Sequence, residues 1–237
     1  HVSHLRPAWL IRMGLLLYDW LGGFITLPKS KYVNLLNDYK DNPLKKNFQK
    51  GYEYSDLSID DARLVLINAQ DALYRGAEII LNTAVTNAIR YDDHWVVELS
   101  NKKIIKTKVI INASGPFVLN ILKDICKVQT NKSLRLVQGS HLIVKKLYEG
   151  EQAYILQQED RRIVFMIPYQ NDYTLIGTTH KEVNSYLNPT ITLEEQSYLL
   201  NAVNFFLKNQ ISESDIVWTY AGIRPLLEDF NQSASKV

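Results

Sequence analysis

Two polar interruptions in apolar strands carry the side chains best suited to chemistry. Gln138-Gly139-Ser140-His141 breaks one alternating run, and Arg224 ends another in Gly222-Ile223-Arg224-Pro225. An imidazole can take or share a proton near neutral pH, or fix a ligand hydroxyl. The same histidine could equally be a core side chain bonded to backbone. A guanidinium in apolar surroundings needs an anion, and its planar fork suits phosphate or carboxylate. That anion is either a ligand's or that of Glu228, four residues on. Arg63 has the same two readings, with Asp60 and Asp61 close by as structural partners. A third feature is backbone chemistry. In residues 108–118, KVIINASGPFV, a β-branched run meets the small-residue turn Ala113-Ser114-Gly115-Pro116. An amphipathic run, 117–125, follows. A turn of that kind, with glycine permitting close approach, can meet something flat or anionic.

Other chemistries find no support. The five histidines are scattered, with no H-x-x-x-H, and a single cysteine, Cys126, excludes C-x-x-C. No metal site is expected. There is no G-x-S-x-G, P-loop or G-x-G-x-x-G. Lysines and arginines are dispersed among acids and the formal net charge is +2, so nucleic acid is not an expected partner. One cysteine argues against a disulfide framework and fits a reducing compartment.

The elements that position these residues follow from periodicity. The 237 residues are 46% hydrophobic, enough for a sizeable core in one domain or two intimate ones. Residues 7–22 predict a helix, started by Pro7 and stopped by Gly22-Gly23. It is apolar round most of its circumference, with Arg6, Arg12 and Asp19 as exceptions. It is too short to span a bilayer, and reads either as a helix buried between domains or as one lying in a membrane interface. Residues 30–49 read as helix fragments and loop. Residues 51–56 predict a half-buried strand. Asp60 caps a helix over 61–75 that Gly76 stops. Short strands are expected at 77–82, 85–91 and 94–99, then the strand at 108–112. Residues 134–179 are β throughout, with a turn at Gln170-Asn171-Asp172. A helix over 193–207 has Thr192 as N-cap and acids Glu194-Glu195 in its first turn. A last strand over 215–227 is expected to leave its ladder at Pro225.

Taken in order, GYEYSD, IDDARLVLINAQ, VIINASGPFV, RLVQGSH, AYILQQEDRRIVFMIPY, LIGTT and DIVWTYAGIRPL resemble the middle of the FAD-dependent, quinone-linked (aerobic) glycerol-3-phosphate dehydrogenases. The resemblance runs from Leu5 to Leu227. It implies an α/β fold of the glutathione-reductase/D-amino-acid-oxidase type, with a discontinuous FAD-binding domain and an α+β, β-rich substrate cap. The implied divisions are 1–57 (helical segment and start of the cap), 58–130 (FAD-binding), 131–214 (cap) and 215–237 (return to the FAD-binding domain). It implies FAD as cofactor, with Ala113, Ser114 and Gly115 beside its dinucleotide portion and the backbone of Ala84 and Val85 at the adenine. His141 matches an active-site position, as assistant in proton removal. Arg224 matches the arginine that binds the substrate phosphate. Glycerol 3-phosphate and quinone are the implied partners, and the resemblance allows a homodimer. It also implies peripheral docking on the inner face of the cell membrane from the cytoplasm, for which 7–22 is the candidate surface.

Departures from the pattern carry expectations of their own. Ser114 stands for the usual threonine and keeps the hydroxyl. His180 stands where an acid usually follows Gly-Thr-Thr. The family's N-terminal glycine-rich turn and C-terminal Gly-Gly-Lys are absent, so the chain reads as a central fragment. On that reading the cofactor site is half absent, and the chain alone is expected to be inactive. Two alternatives stand beside the enzyme: a non-catalytic remnant, and a related FAD-dependent amine or amino-acid oxidase.

Overall fold

The structure, a computed structural model, describes residues 6–22, 27–39 and 41–228. It divides into two compact units, His1–Asp56 with Leu136–Arg224, and Leu57–Arg135 with Pro225–Val237. The expected Gly23 helix stop and the last residues of the 215–237 division lie outside the described residues.

In the first unit, α1 spans Ala8–Leu21 after Pro7, and the Gly22 N–H bonds back to Tyr18 O. No residue of α1 is buried, and Trp9 and Trp20 are 68% and 67% exposed. The reason lies in its polar exceptions, which point inward. Arg12 donates to Ser30 Oγ at 3.0 Å, and Asp19 accepts from Ser30 N–H at 3.1 Å and Oγ at 2.6 Å. Residues 30–49 contain a strand that composition hid: β1 (Lys31–Asn34) pairs antiparallel with β2 (Lys50–Glu53), burying Val33.

The rest of this unit is a six-stranded sheet covered by a helix. Its strands are β6 (Leu134–Lys145), β7 (Tyr154–Gln157), β8 (Ile163–Tyr169), β9 (Tyr173–Gly177), β10 (Lys181–Val183) and β11 (Ile216–Leu227). The order is β10-β6-β9-β8-β7, with β11 beside β6. Helix α4, Leu193–Asn204, packs on β8 and β9. Leu142 and Val144 of β6, Val164 and Met166 of β8, Ile176 of β9, and Leu199 and Val203 of α4 are all 0% exposed. Each such side chain contributes roughly 1.5–3 kcal/mol of transfer free energy. The period of two gives β6 two faces. Gln138 and Ser140 share the α4 side with Leu142 and Val144, whereas Gly139 and His141 face the other way. Pro225 does not end β11, which continues to Leu227; β11 has β6 as its neighbour, and proline is tolerated at such an edge.

The second unit holds α2 (Asp61–Tyr74), capped by Asp60, whose carboxylate accepts the Arg63 N–H at 3.0 Å. The chain turns out of α2 at Gly76, with φ +91°. The meander is β3 (Val85–Arg90), β4 (Trp95–Leu99) and β5 (Ile104–Thr107), all antiparallel. The expected strand at 77–82 does not form. The third strand is β5, reached through a turn with Lys102 at φ +69°. The expected strand at 108–112 makes no ladder, because no described strand lies alongside it. Ile110 packs on the small core of Ala88, Val97 and Leu99, while Ile111 is 87% exposed. The amphipathic run 117–125 and the turn before it form a composite: a 3₁₀ turn (Gly115–Phe117), one α turn, which we label α3 (Val118–Asn120), and a π turn (Ile121–Ile125).

Candidate active site

The first unit gathers His141, Arg224, Gly139, Gly177, Thr178 and Tyr220 on the face of β6 opposite α4. Alternation along β11 puts Trp218, Tyr220, Gly222 and Arg224 on one side of that strand. The guanidinium of Arg224 lies against Gly139. A Cβ there would come within 2.9 Å of both Arg224 Nη atoms and 2.7 Å of Thr178 Oγ1. Glycine is therefore the seat of the arginine, and Thr178 is its neighbour. Among the described residues no carboxylate forms an ion pair with Arg224. Glu228, the candidate structural partner, is engaged elsewhere: its N–H bonds Ser133 O at 3.0 Å and its carboxylate accepts from Ser133 Oγ. Arg63 likewise makes no ion pair among the described residues.

His141 lies over Gly177, its partner across the β6–β9 ladder. A Cβ on Gly177 would fall 2.0 Å from His141 Cδ2. On its other side the imidazole stacks on Tyr220, centroids 4.7 Å apart and planes at 10°. Its Nδ1 is buried and has no hydrogen-bond partner. The alternative of a core histidine satisfied by backbone is thus not realised at that nitrogen. Burial first, and the Arg224 charge second, hold the His141 pKa down at about 4. The ring is neutral at physiological pH.

Behind this face, the Glu195 carboxylate accepts from Thr179 Oγ1 (2.7 Å), Ser140 Oγ (2.8 Å), Gln138 Nε2 (3.0 Å) and the Thr192 N–H (3.0 Å). Burial pushes its pKa up, and these donors outweigh that and hold it at about 2. Sequence reading placed Glu195 only as a helix first-turn acid. The spacing Thr192-x-x-Glu195 is a capping-box signature that would have marked the carboxylate as engaged. Tyr220, Gly177 and Thr178 were also missed. The available signal was period-two spacing from Arg224 for Tyr220.

The second unit has a groove of about 510 Å³ whose lining includes Ala84, Val85, Ala113 and Ser114. Val97, Ile105, Ile110 and Cys126 make most of the remainder apolar, with Thr107 and Asn112 as its polar members. Gly115 is not among the lining residues; at φ +56° it turns the chain away immediately after Ser114. The turn is braced by Asn112, which accepts the Ser114 hydroxyl at 2.7 Å and donates to Val118 O at 2.9 Å. Small side chains and an apolar floor suit a flat heterocycle. Among the described residues no cluster of histidine, cysteine or acids could hold a metal.

The chain is 43% identical over its whole length to a glycerol-3-phosphate dehydrogenase of Pseudomonas aeruginosa, covering 47% of that protein. It is 37% identical, also over its whole length, to a D-erythritol 1-phosphate dehydrogenase of Brucella abortus, covering 48% of it. It therefore spans about half the length of the curated relatives it matches. Among solved structures, the Bacillus halodurans glycerol-3-phosphate dehydrogenase complexed with FAD superposes with a TM-score of 0.68. Identity there is 26%, over 83% of this chain and 42% of that one. Residues 31–236 match the model of the DAO family, described as FAD dependent oxidoreductase. The open arginine, the neutral histidine and the apolar groove thus occur on a recognised scaffold, and the chain belongs to the DAO family of FAD-dependent oxidoreductases.

Proposed function

We propose that this chain is the central part of an enzyme that oxidises sn-glycerol 3-phosphate to dihydroxyacetone phosphate. The observation that carries the reading is Arg224, seated on Gly139 beside Thr178 and His141, with no carboxylate among the described residues to neutralise it. An uncompensated guanidinium beside a neutral imidazole suits a ligand with an anion at one end and a hydroxyl to be deprotonated at the other. Arg224 binds the phosphate, and Thr178 adds a hydroxyl beside it. His141 takes the C2 hydroxyl proton at its imidazole. The phosphate dianion offsets the Arg224 charge, one of the two causes of the low His141 pKa, so the imidazole becomes a stronger base once substrate is in place.

The residues of the second unit fit FAD. Ala84, Val85, Ala113 and Ser114 would hold its dinucleotide portion in the apolar groove, with Gly115 shaping the turn. Bound there, FAD supplies the two-electron acceptor for the hydride that leaves C2. We assign Leu57–Arg135 and the end of β11 to the flavin-binding domain, and Leu136–Arg224 to the substrate cap.

Quinone as the next electron acceptor, and docking of α1 on the cytoplasmic face of the membrane, complete the proposal. Exposed Trp9, Met13, Leu17, Trp20 and Leu21 support the docking. No described helix is long and apolar enough to cross a membrane. Flotation with liposomes, lost on replacing Trp9 and Trp20 by serine, tests it.

The decisive assay is flavin bleaching and dihydroxyacetone phosphate formation when glycerol 3-phosphate is added to the FAD-loaded enzyme. No bleaching overturns the reading. The Brucella relative favours a second substrate, since D-erythritol 1-phosphate presents the same phosphate on a longer polyol. A panel of both phosphates and glycine ranks them and tests the amino-acid oxidase alternative. The absorbance of the chain alone after FAD addition and desalting separates a self-sufficient flavin site from one needing a complementing segment.

A further inference from the structure

The backbone ladder fails where the cradle needs it most. Pairing of β6 with β9 begins at His141↔Gly177, and pairing of β6 with β10 begins at Gln138↔Lys181. Between these, Gly139 and Ser140 lie opposite Thr178, Thr179 and His180, two residues against three. A bulge of this kind loosens register. The seat of Arg224 and the neighbour of His141 are set inside it.

We propose that Glu195 is a positioning residue for the substrate cradle, fixing from the α4 side of the sheet the register of Gly139–His141 against Gly177–Thr179; this rests on the reading of Arg224 and His141 given above. A capping box needs only the exchange between Thr192 and Glu195. Glu195 does more, because its Oε1 holds Ser140 at 2.8 Å and Thr179 at 2.7 Å, one residue from each strand of the bulge. The two are also tied to each other, since the Ser140 N–H donates to Thr179 Oγ1 at 2.9 Å and the Thr179 N–H to Ser140 O at 3.3 Å. Gln138 closes the set, donating to Glu195 Oε2 at 3.0 Å and to Ser140 Oγ at 3.2 Å.

Glu195, Gln138, Ser140 and Thr179 are all 5% exposed or less. Such polar groups beside Leu142 and Val144 add less stability than an apolar core of the same shape would. Their yield is geometry: any shift of Ser140 carries Gly139 and His141 with it, and any shift of Thr179 carries Thr178. A carboxylate is needed for this. In Glu195→Gln the amide oxygen must stay with the Thr192 N–H, leaving the NH₂ against Ser140 and Thr179. The Ser140 and Thr179 hydroxyls, which donate to Oε1 in the parent, then face a donor and lose their acceptor.

The test compares FAD-loaded parent enzyme with Glu195→Gln and with Thr179→Val, which removes one hydroxyl, donor to Glu195 and acceptor from the Ser140 N–H, and no charge. The expected result is a rise of about 10-fold in KM for glycerol 3-phosphate, equivalent to about 1.4 kcal/mol, with flavin content retained. In parallel, inorganic phosphate, followed by the NMR shift of the His141 imidazole, should bind about 10-fold more weakly to both variants. Val203→Ala, in the core of the same helix, should lower Tm and leave KM within about two-fold. Parent-like KM and phosphate affinity in Thr179→Val, or a KM rise in Val203→Ala matching that of Glu195→Gln, overturn the positioning role. If Glu195→Gln does not fold, Thr179→Val decides. A parent that binds phosphate, with weaker variants, but oxidises no glycerol 3-phosphate upholds this role and overturns the substrate. A parent that binds no phosphate overturns both.

Discussion

The two units differ in how much of their apolar surface they bury for themselves. In the first, β6, β8, β9 and α4 enclose side chains fully excluded from water, and the buried carboxylate of Glu195 is surrounded by donors. In the second, α2 buries no residue, and Val65, Leu66 and Tyr74 are 68%, 64% and 92% exposed. Its core is Ala88, Val97 and Leu99 with a fringe of half-buried neighbours. The residues proposed to act on the substrate thus stand on the unit that is packed, where small displacements are resisted. The groove proposed for FAD is made by the unit that is open. Binding energy from a large cofactor can offset incomplete packing there; nothing comparable would fix an arginine and a histidine.

The contrast can be broken most directly at Arg224. Replacing it by alanine removes a bidentate, charge-assisted contact, and kcat/KM for glycerol 3-phosphate should fall by roughly 10³-fold, about 4 kcal/mol. Flavin content should stay constant; loss of flavin with KM unchanged would place Arg224 in the wrong unit's chemistry. Next in size is packing. Leu142→Ala should cost about 3 kcal/mol by urea unfolding, whereas Leu66→Ala on α2 should cost under about 0.5 kcal/mol. Equal costs would erase the distinction between the units.

Glycines sharpen it further. Gly177→Ala drives a methyl into His141, and Gly139→Ala drives one into Thr178 and Arg224. Each should lower kcat/KM by about 30-fold, or 2 kcal/mol. At Gly115 nothing lies within 4 Å of a new Cβ, so Gly115→Ala should show only the cost of φ +56°, about 1 kcal/mol of stability.

The smallest effect is with pH. His141 titrates at about 4 in the folded chain, below its ordinary 6.5, so its contribution to stability is present above pH 6.5 and is lost as pH falls toward 4. The urea midpoint of His141→Gln should therefore fall less than the parent's between pH 7 and pH 4.5. Because substrate phosphate offsets Arg224, the acid limb of kcat should lie at higher pH than that of kcat/KM. Coincident limbs would mean that Arg224 does not sense the ligand.

Local chemistry made much of this legible. Asp60, Thr192, Gly76 and the Gln170-Asn171-Asp172 turn mark boundaries through capping and positive φ, and the structure uses all of them. His141 and Arg224 were visible because polar groups in apolar strands need partners. What failed were inferences about neighbours. The run Val109-Ile110-Ile111 has every local property of a strand, yet a ladder requires a second strand that local pattern cannot supply. The apolar circumference of α1 left burial and an interfacial place equally open, and the exposure follows from one serine, residue 30, that binds both Arg12 and Asp19. The bulge between β9 and β10 is likewise invisible in a run that reads as continuous β.

That serine has a mechanical consequence. A helix held by greasy contacts can roll, hiding its tryptophans when the surroundings are aqueous. Helix α1 is held by directional bonds from two side chains to a single residue, so rolling would break them together. Its exposed apolar side is a permanent fixture rather than a switched one. The expected symptom is concentration-dependent self-association in buffer without detergent, relieved by Trp9→Ser and Trp20→Ser and worsened by no change of pH or ligand.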